Sequence, residues 1–76
     1  METVMEIYER TYRNCVFYRN EGHEIALLNE IGVLRGIFYC LEAIVGEKNV
    51  YRLVDYAAFV EMINEQQRMK NEGAKV

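Results

Sequence analysis

The chain has 76 residues, about half of them apolar or aromatic and 28% charged, with 12 acidic and 9 basic side chains for a net charge of −3. This composition excludes a disordered chain and leaves room for one domain, burying about 60–65% of the surface its unfolded form exposes. The signs are interspersed and mildly acidic. That speaks against a broad phosphate-binding surface, and no run of eighteen uncharged apolar residues suggests a membrane span.

The absence of proline and the presence of only five glycines favour long helices. The first is predicted over residues 3–18. At about 100° per residue, Val4, Ile7, Tyr8, Thr11, Cys15 and Tyr18 share one side, while Glu6, Glu9, Arg10 and Arg13 lie opposite. Phe17 falls among the charged positions, as an exposed aromatic or a sign of an early helix end. The alternation of Tyr12, Asn14, Val16 and Tyr18 also admits a strand, though neither of its faces is cleanly polar. Gly22 suits the position just past a helix, and Asn20 competes as a cap for the next one.

The second helix is predicted over residues 23–45, ending at Gly46. Its angular pattern separates two apolar sides. Leu27, Val33, Leu34, Ile37, Phe38, Leu41, Ile44 and Val45 form a large-residue side suited to a core. Ile25, Gly32, Gly36, Cys40 and Ala43 form a side of mostly small residues, with Glu24, Arg35 and Glu42 as a narrow wet stripe. Two mid-helix glycines cost roughly 1 kcal/mol each relative to alanine. Close helix packing is one reason to keep them, and a break near Gly32 is another.

The third helix is predicted over residues 50–69, capped by Asn49. Leu53, Tyr56, Ala57, Val60 and Ile63 form its main apolar side, and Tyr51, Ala58, Met62 and Met69 a thinner strip. Residues 71–76 read as a frayed tail. The fold expected is therefore all-α: a three-helix antiparallel bundle-like domain. Two flanking helices leave part of the second helix uncovered, and a two-fold homodimer would cover it.

The chain is poor in chemistry. It has one histidine, one aspartate, two threonines and no serine, so no catalytic constellation is expected. His23 beside Glu21 and Glu24 reads as a surface residue near a turn. Cys15, Cys40 and His23 lack the fourth ligand and compact spacing of a structural zinc site, so neither metal nor cofactor is expected. The two cysteines read as reduced, buried small hydrophobes of a cytoplasmic protein. The residues that point to function are those of contact: Gly32, Gly36, Cys40 and Ala43 for the dimer, with Arg13 and Phe17 for a protein partner. This suggests an interaction module that regulates or inhibits a larger protein. The alternative is a dimeric nucleic-acid-binding regulator that gathers Arg10, Arg13 and Arg19 from two copies into one basic zone.

Overall fold

The computed structural model describes residues 2–74. Among them are four helices and no strand: α1 (Val4–Glu21), α2 (Glu24–Val45), α3 (Glu47–Leu53) and α4 (Tyr56–Ala74). Thr3 opens α1, its hydroxyl accepting from the Glu6 amide at 3.1 Å. The helix runs three residues past its predicted end, so Phe17 lies within it and residues 12–18 are helical throughout. Gly22, at φ +73°, closes it by a Schellman pattern in which the Gly22 amide donates to the Arg19 carbonyl and the His23 amide to that of Tyr18. Asn20 is thus the last turn of α1 and caps nothing. The tight closure folds α2 back along α1, and Asn14 Nδ2 donates to Glu30 Oε2 across the hairpin at 2.9 Å.

α2 is unbroken through Gly32 and Gly36. Its inner face buries Leu27, Ile31, Leu34, Phe38 and Leu41, and burying each such side chain contributes about 1.5–3 kcal/mol. Val33 and Ile44, expected in the core, are 49% and 68% exposed. They stand about 100° from the centre of the inner face, too far round for the neighbouring helices to reach. Gly46, at φ +90°, ends α2 as expected. Asn49 is not the cap of a following helix: α3 starts directly after Gly46, and Asn49 Nδ2 donates back to the Val45 carbonyl at 2.7 Å.

The predicted third helix is two helices. At Val54 the backbone turns extended (φ −120°, ψ 153°), and Asp55 caps α4, its Oδ1 accepting from the Ala58 amide at 3.1 Å. Burial explains the elbow. On an uninterrupted wheel, Val50 and Val54 would lie roughly 120° from the stripe of Phe59, Met62, Gln66 and Met69. The elbow re-aims α4 so that all six are buried. Leu53, Tyr56 and Ala57 are consequently exposed instead of forming the main apolar side. α4 also continues through the expected tail to Ala74, while Lys75 and Val76 of that tail lie outside the described residues.

The core runs along α2, against which α1, α3 and α4 each pack. Phe38 and Phe59 stack with centroids 4.1 Å apart, and buried Gln66 donates to the Leu28 carbonyl at 3.3 Å. The molecule measures 40 × 24 × 16 Å between Cα extremes. Two helix axes about 8–10 Å apart, each with Cα atoms about 2.3 Å from its axis, span about 13–15 Å. Among the described residues the thin dimension therefore holds two layers of helix and no third, with the neighbours of α2 on one side.

Candidate functional site

The side of α2 turned away from these neighbours is the most unusual surface of the molecule. It carries Ile25, Gly32, Gly36 and Ala43 along its middle, Val33, Cys40 and Ile44 along one margin, and Asn29 and Tyr39 besides; all are exposed. Ile25 is 79% exposed and Ile44 68%. None of the charged residues of α2, namely Glu24, Glu30, Arg35 and Glu42, falls in this sector. Glu30 is held by Asn14 on the inner flank, and Arg35 stands at the edge, its guanidinium 5.8 Å from the Tyr39 ring centroid. A helix 22 residues long extends about 33 Å, so the uncharged strip covers roughly 350 Å² in projection. That is within the roughly 300–600 Å² of the largest apolar patch on an ordinary monomer, a patch that is often functional.

Gly32, Gly36, Cys40 and Ala43 are thus brought together, on the outside and not in an internal seam. A Cβ added at Gly36 would meet nothing within 4 Å, and one at Gly32 would find only the Gln66 amide nitrogen, at 4.0 Å. Neither glycine is needed for close packing inside the monomer. The expectation that both cysteines are buried fails at Cys40, which is exposed; Cys15 is fully buried. Burial, with a smaller push from the Glu30 carboxylate, raises the Cys15 thiol to about 12, so it stays protonated and unreactive. Sequence reasoning placed Val33 and Ile44 in the core and left Tyr39 without a role. The usable signal was the width of the apolar arc, which exceeds what two neighbours can cover.

Arg13 and Phe17 lie apart from this strip, on α1. Phe17 is 57% exposed and meets the Tyr18 ring edge-on at 5.7 Å. Arg13 lines an open cleft of about 300 Å³ between the N-terminal half of α1 and the elbow at Val54 and Asp55. Of the other arginines, Arg10 forms an ion pair with Glu2, and Arg19 is exposed near the end of α1. His23 is exposed, with its ring edge-on to Tyr18 at 6.3 Å. Among the described residues no three histidine, cysteine or carboxylate side chains gather as metal ligands, and no helix is long and apolar enough to cross a membrane. The chain matches no family model, no curated protein and no solved structure.

Proposed function

We propose that this chain is a small non-catalytic helical interaction protein of the cytoplasm. It pairs with a second copy through the outer face of α2 and offers the exposed side of α1, with Arg13 and Phe17, to a larger protein that it regulates or inhibits. The observation that carries the reading is the uncharged outer strip of α2, from Ile25 to Ile44. Apolar surface is favourable to remove from water by about 25 cal/mol per Å², and a two-fold contact lets one patch serve both partners. The small side chains of Gly32, Gly36 and Ala43 let a second helix approach closely. Two strips bring roughly 700 Å² in projection, below the roughly 1,200 Å² of stable specific interfaces and in the range of weak, transient ones, so the affinity expected is no tighter than micromolar.

Sedimentation equilibrium tests the pairing. A micromolar monomer–dimer equilibrium is expected, and Gly36→Leu should raise its Kd by about a hundredfold or more while leaving the monomer folded, because position 36 is exposed and a Cβ there meets nothing within 4 Å. A chain that stays monomeric at tens of micromolar overturns the reading. The nucleic-acid alternative has less support, since Arg10 is engaged by Glu2 and Glu6 and Glu9 share its side of α1.

A further inference from the structure

The cleft between α1 and the elbow has a chemistry of its own, and none of its lining residues belongs to α2. Its apolar part is Met5, Leu53, Val54 and Ala58. Its polar part begins with Tyr8, which is 5% exposed. The Tyr8 hydroxyl has no hydrogen-bond partner among the described residues, yet no fully enclosed side-chain oxygen or nitrogen lacks one. The ring is therefore buried, the oxygen is not fully enclosed, and the residue lines the cleft. Burial is the main reason that its proton is held up to about 12, with Tyr12 and the Asp55 carboxylate adding to the effect. The hydroxyl is thus neutral at physiological pH and can accept a hydrogen bond.

Asp55 and Glu9 also line the cleft, and neither forms an ion pair among the described residues. Asp55 accepts at Oδ1 from the first turn of α4, and its Oδ2 has no hydrogen-bond partner among the described residues. Arg13 is the one cation of the lining, and it is not among the charges that act on the Tyr8 phenol. The lining as a whole carries one more negative charge than positive. With Glu9 and Asp55 against the single Arg13, the lining has room for one further positive donor.

We propose that this cleft binds an aliphatic ammonium group, the ammonium donating to Asp55 and the Tyr8 hydroxyl while its methylene stem lies against Leu53, Val54 and Ala58. The same group is carried by a free alkylamine and by the lysine side chain of a protein, and the cleft serves either source.

The probe is n-hexylamine, followed by amide chemical shifts of the full chain near neutral pH, with hexanoate as the control of opposite charge. Saturable shifts centred on Tyr8, Asp55 and Ala58 are expected, with a Kd on the order of a millimolar for so small a ligand. Asp55→Asn retains a good helix cap while removing the charge, and should weaken binding about tenfold or more. Tyr8→Phe should weaken it less. Saturation by Nα-acetyl-lysine methylamide at similar concentrations would assign the cleft to protein lysines, and failure of that probe beside binding of hexylamine would assign it to free amines. Equal binding of hexanoate, unchanged binding by Asp55→Asn, or no saturable shift with hexylamine each overturns the proposal. Gly36→Leu should leave hexylamine binding unchanged, which separates this result from the fate of the dimer.

Discussion

The two faces of α2 are built from similar numbers of apolar residues and have opposite fates. The inner face buries Ile31 and Leu34 completely, whereas the outer face leaves Ile25 and Ile44 more than two-thirds exposed. Hydrophobicity alone does not separate them, since isoleucine stands on both. The share of small residues does. The inner face presents large side chains to three neighbouring helices, while the outer one places Gly32, Gly36, Cys40 and Ala43 between its few large residues. A small-residue strip makes a poor core wall and a good track for another helix.

Paired substitutions at isoleucine give the largest expected contrast. Ile31→Ala should cost about 2–5 kcal/mol in urea unfolding, because it removes methyl groups from a fully packed site. Ile25→Ala, measured where the chain is monomeric, should cost less than about 0.5 kcal/mol. Similar losses at both positions would mean that the outer face is covered within the monomer.

The cover of the inner face depends on the elbow that aims α4. Asp55→Ala removes the cap from α4 and should lower stability by about 1 kcal/mol, whereas Asp55→Asn should change it little. Thermal unfolding of the two variants side by side checks this. Equal losses would show that the carboxylate's charge, not its capping geometry, sustains the elbow.

Thiol chemistry reads the two faces directly. In the folded protein Cys40 should react with a disulfide reagent as a first equivalent, and Cys15 only on unfolding. Labelling of Cys40 should slow as concentration rises through the dimer range. The same burial sets an alkaline limit. Cys15 and Tyr8 are neutral when protonated, and folding raises them from ordinary values of 9.0 and 10.0 to about 12. The unfolded chain releases these protons first, so their contribution is fully present below about pH 9 and declines toward pH 12. A stability unchanged between pH 8 and 11 in denaturant titrations would contradict it.

A modest effect of the opposite sign is expected at the middle of the outer face. Gly36→Ala adds a methyl group that meets nothing within the monomer and should stabilise it by up to about 1 kcal/mol through helix propensity. A destabilised monomer would show that Gly36 serves the fold rather than the surface.

How much of this was readable in the chain varies by element. Both glycines at positive φ were, because Gly22 and Gly46 follow long apolar-periodic segments and few other residues tolerate that backbone. The buried side of α1 was also readable: Tyr8, Thr11 and Cys15 lie on the predicted side. The grouping of Gly32, Gly36, Cys40 and Ala43 on one side of α2 follows from helical angle alone. The elbow at Val54 was not read, although the chain's single aspartate stands three residues before the amide that it caps. Helical periodicity in each half overlapped enough to suggest one helix, and only the packing of both halves on α2 requires the turn.

The sequence by itself determined an all-helical chain, the length of α2, its end at Gly46 and the separation of its large residues from its small ones. Each of these follows from backbone preference and angular position, which are local. Which side of α2 would be covered was decided by the tertiary structure, as were the exposure of Val33, Cys40 and Ile44 and the juxtaposition of Tyr8 with Asp55. Those depend on where three neighbouring helices can sit at once. Two layers, 16 Å thick, suffice for one face of α2 and leave the other to solvent or to a partner.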